Sequence, residues 1–318
     1  MIMKRIMEQI PQLEVWARIV AGYMTGIKEI YKKNNVKKKK HIGNAPQVHK
    51  NVLIDYLKAL KIQKGDILIV HSSLRPLKCF GMAPTEIIEE LLKLVGDEGT
   101  LVMPAFCKYN EHIKGKFAEE SVTEFVYNVQ ESPAWTGVIS DTFWRREDVI
   151  RSRYPDNPLA ATGSCAREIF MQEAQGDLAH GRYSSWKFCS DKHAKVLFLG
   201  IPAFNSITEI HLAEDLLDDR WPVKGWFKEC HYKIIDNEKV YNKTTRIRKQ
   251  FWSRYLTEYR CSYELRKQGL LKEECVETVP ISFIPDLKKL EEYVTQKAID
   301  GDLLIFKIPR KYYKNEQI

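Results

Sequence analysis

The stretch Lys64–Pro104, KGDILIVHSSLRPLKCFGMAPTEIIEELLKLVGDEGTLVMP, decides the fold. Behind the turn Lys64-Gly65-Asp66, the run Ile67–Val70 is wholly apolar and rich in β-branched residues, the pattern of a short strand buried on both faces. Pro84 and Thr85 open a helix over Glu86–Val95, with acidic residues in its first turn where the helix dipole favours them. Gly96-Asp97-Glu98-Gly99 turns the chain, and Thr100–Met103 is a second buried strand, closed by Pro104. Strand, helix and strand at this spacing make a βαβ unit, which requires a parallel pair.

Working outward, Asn51–Leu60 reads as a helix and Lys195–Leu199, followed by Gly200, as a third buried strand. Ser206–Leu217 reads as a helix. Tyr232–Ile235 and Lys239–Tyr241 pair as strands around the turn Asp236-Asn237. Arg246–Lys267 reads as a long charged helix and Leu303–Phe306 as a last strand. The expected fold class is α/β, with a mixed, partly parallel sheet flanked by helices. Residues 47–318 are expected to form one domain.

Residues 1–46 stand apart as a basic helical extension and linker. Ile10, Leu13, Trp16, Val20 and Met24 recur at helical spacing within Met1–Tyr31, and the lysine run Lys37–Lys40 ends the pattern. A helix docked on its own domain or on a partner subunit is the plain reading, and contact with anionic lipid the sharper one. A homo-oligomer built through this helix is compatible with the sequence.

The chain carries a formal net charge of +8. Residues 1–46 hold ten basic residues against Glu8, Glu14 and Glu29, so the rest of the chain is nearly neutral. That distribution argues against a nucleic-acid binder. Seven cysteines without any CxxC fit reduced thiols, and the N-terminus lacks a signal-peptide pattern. A cytoplasmic location is therefore expected, with no stable membrane insertion, because no apolar run is long enough to span.

In an α/β sheet, ligand sites collect at the carboxyl ends of parallel strands. Ile67–Val70 leads into His71-Ser72-Ser73, and Lys195–Leu199 leads through Gly200 to His211 and Glu214. These two lie three apart on the expected helix and so share a face. Imidazole can take a proton near neutral pH, and a neighbouring carboxylate can orient it and stabilise the imidazolium. Hydroxyls such as those of Ser72 and Ser73, after a buried strand, can grip a carbonyl or phosphate. Taken singly, HxxE is more often a surface pair and SS more often plain turn chemistry. GxSxG, HExxH, Walker A and GxGxxG are all missing, and no metal site is expected. Cys107 has nothing beside it in sequence to lower a thiol pKa.

Four blocks in order carry a resemblance: VHSSLRPLKCFGMAPTEIIEELLKLVGDEGTLVMPAF at Val70–Phe106, PAWTGVISDTFWRREDVIRSRYPDNPLAATG at Pro133–Gly163, GRYSSW at Gly181–Trp186, and VLFLGIPAFNSITEIHLAE at Val196–Glu214. From about residue 47 onward the chain resembles the aminoglycoside 3-N-acetyltransferase family. The resemblance implies acyl transfer from acyl-CoA (acetyl or short hydroxyacyl) to a primary amine, by direct attack in a ternary complex. It carries over His71, Ser72, Ser73, Leu74 and Thr100 as acyl-CoA contacts. His211, Glu214 and His180 carry over as catalytic groups, and Tyr154, Arg151, Tyr183 and Thr208 as acceptor contacts. Two departures stand out: Tyr154 replaces the histidine many members have before the proline of RSxHP, and Ser185 replaces the proline of GxxSP.

The arginines and aromatics of the blocks, among them Arg75, Arg145, Arg146, Arg151, Arg153, Arg182, Tyr183 and Trp186, favour a nucleotide-linked amino sugar for surface polysaccharide synthesis. An aminoglycoside, whose polycation needs an acidic pocket, is the alternative acceptor. A membrane-surface or partner-binding protein with a degenerate catalytic domain is the contrasting class.

Overall fold

The computed structural model describes residues 2–31, 47–107 and 124–314. The strands are β1 (Ile67–Ser72), β2 (Thr100–Pro104), β3 (Glu124–Asn128), β4 (Ile150–Arg151), β5 (Leu159–Gly163), β6 (Lys195–Leu199), β7 (Phe227–Asp236), β8 (Lys239–Arg248), β9 (Lys272–Val276) and β10 (Val279–Ile284). The main sheet has the order β4-β5-β2-β1-β6-β10-β9, and a smaller one the order β3-β7-β8. β1 runs parallel to both β2 and β6, while β5, β10, β4 and β9 pair antiparallel. The expected mixed α/β sheet is therefore present, with the βαβ unit at its centre.

The period-2 rule of strands builds the core. Ile67 and Ile69 join Val102, Val196 and Phe198 on one face, under Trp186, Leu212, Cys261 and Leu290 from four helices. Leu68 and Val70 join Leu101, Met103, Leu197 and Leu199 on the other, under Leu53, Ile87, Leu91 and Phe143. Each such side chain, taken wholly out of water, contributes about 1.5–3 kcal/mol before entropy is charged against it. The helix Pro84–Val95 starts at Pro84, Glu86 accepts from the backbone N–H of Ala83 at 2.9 Å, and Gly96 stops it with a φ of 67°.

Three expectations fail. The hairpin does not stop at Tyr241: β7 and β8 pair along their full lengths, so Arg246–Arg248 is strand, and the following helix is only Glu258–Lys267. Buried Cys230, Tyr232 and Ile234 alternate with exposed neighbours, and β8 must follow its partner whatever its charge. Leu303–Phe306 is no strand but a buried turn region, with Leu304 at a φ of 42° and Phe306 bridged singly to Leu256. That edge of the sheet is formed by β9, reached through β10.

The N-terminal segment forms helices Ile2–Gln9 and Pro11–Tyr31, broken where Pro11 cannot donate. They pack on the helix Glu258–Lys267. Val15 packs on the core, and polar residues anchor the contact around it. Glu14, 2% exposed, accepts from the backbone N–H groups of Glu258 (3.0 Å) and Tyr259 (3.1 Å), and Arg18 bridges Glu14 and Glu258. Arg266 pairs with Glu8 at 2.6 Å. The apolar residues Ile10, Leu13, Trp16 and Val20 are exposed, so the helix docks on its own domain through a different face. The reason lies at the receiving helix, whose N-cap Thr257 makes no side-chain cap, so Glu14 satisfies its first donors from outside. Glu14→Ala is expected to cost about 1–3 kcal/mol, because two N–H groups and Arg18 lose their partner together. Urea denaturation of both proteins checks this; an unchanged midpoint would refute it. No helix among the described residues is long and apolar enough to cross a membrane.

Candidate functional site

The parallel alignment of β1, β2 and β6 brings their carboxyl ends to one edge of the sheet. β1 ends at Ser72, beside Leu199 of β6, and the Ser73 N–H donates to the Leu199 carbonyl at 2.9 Å. Gly200 then turns with a φ of 73°, and a Cβ there would lie 2.6 Å from the Ser73 carbonyl oxygen. Only glycine lets the two strand ends approach so closely. The Ser72 hydroxyl is buried there without a partner, and Ser73 and Leu74 are half-buried. An unsatisfied buried hydroxyl of this kind marks a place where a ligand oxygen can be received.

After Gly200 the chain does not form one helix over Ser206–Leu217. A 3-10 turn, Thr208–His211, feeds the helix Leu212–Leu217. His211 still stands against Glu214, with Nδ1 on Oε1. Trp226 Nε1 donates to the other carboxylate oxygen at 2.5 Å. Arg248, from β8, places Nη1 3.2 Å from Glu214 Oε1 and 3.1 Å from His211 Nδ1. Burial first, then the Arg248 charge, holds the His211 imidazole below its ordinary pKa, against the pull of Glu214. Burial opposes ionisation of Glu214, but Arg248 and His211 outweigh it and hold that carboxyl below the usual range. The result is a neutral imidazole, a charged carboxylate and a fixed cation, whose Nη1 also stands 3.4 Å from the imidazole Nε2.

His180 is buried beside this group, its ring 5.8 Å from that of His211 and 5.3 Å from that of Trp186. Its backbone N–H (2.8 Å) and Nδ1 (3.2 Å) both meet Asp215 Oδ2, and its Nε2 is buried without a partner. Asp156 accepts from Tyr232 and Thr245, and burial raises it to about 6 despite those hydrogen bonds. Glu173 accepts from Ser152 at 2.7 Å, and burial raises it to about 7. Tyr154 is buried among these groups with an unpartnered hydroxyl, and burial, then Asp156 and Asp215, push its phenol far up. Carboxylates held partly neutral against their will gain by receiving a cation.

The structure thus brings His211, Glu214, His180 and Tyr154 together, and sets Ser72, Ser73 and Leu74 at the end of β1. Other expected site residues are displaced. His71 is not open to a ligand: its Nε2 meets Glu209 Oε1 at 2.7 Å in the interior, and its ring stacks on Phe198 at 4.9 Å. Thr100 begins β2, opposite Ile67, and so lies at the far end of the sheet, where its hydroxyl accepts from the Cys165 N–H. Arg151 is a buried strut. Its terminal nitrogens reach the carbonyls of Val129, Ser132 and Ala105 and the Cys107 sulfur at 2.5–3.2 Å, and the guanidinium stacks on Trp144. Thr208 donates to the Ser206 carbonyl at 3.3 Å within its own turn, and Tyr183 is exposed over Gly176. Sequence reasoning missed Arg248, Asp156, Asp215 and Trp226. The only signal for Arg248 was its charge inside a strand misread as helix.

Residues 69–293 match the protein family described as Aminoglycoside 3-N-acetyltransferase. Aminoglycoside N(3)-acetyltransferase IV of a Salmonella species is 32% identical over 164 residues, which cover 51% of this chain and 57% of the relative. Aminoglycoside N(3)-acetyltransferase VII of Streptomyces paromomycinus is 27% identical over 197 residues, 59% of this chain and 66% of the relative. The chain therefore spans less than two thirds of the length of these curated relatives. Among solved structures, aminoglycoside acetyltransferase AAC(3)-IVa as apoenzyme superposes with a TM-score of 0.62 at 26% identity, over 85% of this chain and 95% of that one. A variant of that enzyme in complex with apramycin gives a TM-score of 0.63 at 25% identity, over 87% and 100%. The AAC-IIIb binary complex with CoASH, at 18% identity and a TM-score of 0.64 over 82% and 98%, shares the fold.

Proposed function

The chain belongs to the aminoglycoside 3-N-acetyltransferase family, and from that premise we propose that it moves an acyl group from acyl-CoA to a primary amine of a cationic amino sugar of the aminoglycoside class. The observation that carries the reading is the buried His211–Glu214–Arg248 group set, through His180, beside the carboxylates of Asp156 and Asp215. An amine is protonated in water and is no nucleophile until it loses that proton. The ammonium gives that first proton to water; as the nitrogen–carbon bond forms, His211, kept neutral by burial and Arg248, accepts the nitrogen's second proton at Nε2, and Glu214 stabilises the imidazolium that results. The amine nitrogen attacks the thioester carbonyl, the carbon–sulfur bond breaks, and the proton passes from His211 to the departing thiolate. The Ser72 hydroxyl is the donor available for the carbonyl oxygen as negative charge gathers there.

Aminoglycosides carry several ammonium groups, and the acidic side of Tyr154 suits them. Of the arginines that favoured a nucleotide-linked acceptor, Arg145 pairs with Asp141, Arg146 with Glu89 and Asp148, and Arg153 with Asp236, while backbone carbonyls take up Arg151. The test is release of free CoA from acetyl-CoA or 3-hydroxybutyryl-CoA in the presence of a deoxystreptamine aminoglycoside or a nucleotide-linked amino sugar. Release that depends on the aminoglycoside supports the reading. Release only with the nucleotide-linked sugar, or ping-pong kinetics, would overturn the acceptor or the direct attack respectively.

A cation arriving beside Asp156 lowers its pKa, so acceptor binding near pH 6 is expected to release protons. Calorimetry in two buffers of different ionisation enthalpy reads this directly. Asp156→Asn should reduce the release and raise the acceptor KM about tenfold, leaving the acyl-CoA KM nearly unchanged; proton uptake would contradict the assignment.

A further inference from the structure

A second cleft, of about 1400 Å³, opens at the free edge of β4, between Trp144, the segment Arg167–Ala174 and the β7–β8 hairpin. None of His211, Glu214, His180 or Ser72 lines it; Tyr154 and Glu173 do. The charges of this cleft are opposite in balance to those beside His211. Of its two carboxylates, Asp236 pairs with Arg153 at 2.6 Å, and Glu173 is raised by burial to about 7, so its charge is weakened. Lys243 meets only carbonyl oxygens, the nearest that of Gly176 at 2.7 Å, and stands 5.0 Å over the Tyr154 ring. Arg167 and Lys239, both exposed on the lining, make no ion pair among the described residues.

Two buried polar atoms of the lining are unsatisfied, Arg151 Nε and the Tyr154 hydroxyl. Arg151 is 7% exposed, and its other nitrogens are all used. An orphaned guanidinium N–H costs free energy unless an acceptor arrives from the cleft. Free cations at the mouth and the idle Arg151 donor inside call for an acceptor-rich anion. Tyr241 and Met171, exposed at 37% and 72%, offer a flat and a soft apolar surface beside them.

We propose that this cleft is a second ligand site, separate from the acyl-transfer centre, that binds a phosphate-bearing small molecule with a planar ring, with Arg167, Lys239 and Lys243 taking the phosphates and Arg151 Nε receiving an inner oxygen. The shared chemistry is a diphosphate on a ring, which both a free nucleotide and CoA itself possess. The proposal rests on the cleft alone and not on the activity assigned to His211.

The experiment is isothermal titration of the full chain with uridine diphosphate and with inorganic pyrophosphate, repeated after saturation with CoA, on the wild type and on Arg167→Glu/Lys239→Glu. Both substituted side chains are exposed, so folding is expected to be intact, and circular dichroism checks it. The expected result is that uridine diphosphate binds more tightly than pyrophosphate, that CoA leaves this binding unchanged, and that the double variant weakens it at least tenfold. No binding at millimolar concentration, or binding indifferent to the double variant, would overturn the proposal. Binding abolished by CoA would overturn it as a separate site and make the cleft part of the acyl donor's own. CoA release with an aminoglycoside, measured on the same double variant, is expected to be unchanged, which keeps a failure here distinct from a failure of the acyl-transfer reading.

Discussion

His211→Ala is expected to lower kcat/KM for the amine about 10²–10⁴-fold, the ordinary worth of a positioned general base. The loss should fall on kcat, because the imidazole acts on a proton that leaves only as the new bond forms. Acyl-CoA binding should survive, since Ser72 and the ends of β1 and β6 are shaped by Gly200 and the sheet, not by His211. Glu214→Gln should cost less, because it removes the stabiliser of the imidazolium and leaves the base. Combining the two should cost about as much as His211→Ala alone, since Glu214 acts through the ring that has gone. Steady-state CoA release and separate titration of CoA binding check this. Equal losses in activity and CoA affinity would mean that His211 serves structure, and multiplying losses in the double variant would deny that the pair works as a unit.

How far the site was legible in the sequence depends on the range of the interactions that build it. The βαβ unit Ile67–Pro104 could be read because its signals are local: an apolar run, a proline-started helix, glycine turns. The His211–Glu214 pair could be read because three residues of helical or 3-10 chain bring both side chains to one side. Arg248 could not be read. It reaches His211 only because β8 pairs with β7 for ten residues, and that register is set by the alternating burial of β7, not by anything in the charged sequence of β8. Arg151 shows the converse. In sequence it stands two residues before an arginine and three before Tyr154, and looks like part of a cationic surface. In the structure, β4 turns its side chain inward, where backbone carbonyls and Trp144 absorb it. Strand parity decides which neighbour faces the ligand, and a two-residue strand gives no pattern from which parity can be read.

Arg248→Met is expected to move the acidic limb of the activity profile upward by at least one pH unit, which is about a tenfold loss below that limb and little loss well above it. The sign follows from the charges that face His211. Glu214 pulls the imidazole toward protonation; Arg248 and, on the other side, His180 push against it, and burial adds to that push. With the guanidinium removed, Glu214 keeps its Trp226 donor but loses its cation, and the charge available to satisfy it is the His211 imidazolium. A proton is then held where the mechanism needs an empty Nε2. As pH rises through the new, higher pKa the base is freed again and the rate recovers. Methionine keeps an unbranched apolar stem and puts an uncharged, polarizable end near the Phe306 ring, which the guanidinium approaches at 5.3 Å. Arg248→Lys, which restores a charge without the planar fork, should recover part of the shift. A fall in rate by the same factor at every pH, with no recovery in the lysine variant, would show that Arg248 only braces the β7–β8 hairpin against the body. A shifted limb would show that a charge carried on the small sheet sets the pH at which the base on the large one can work.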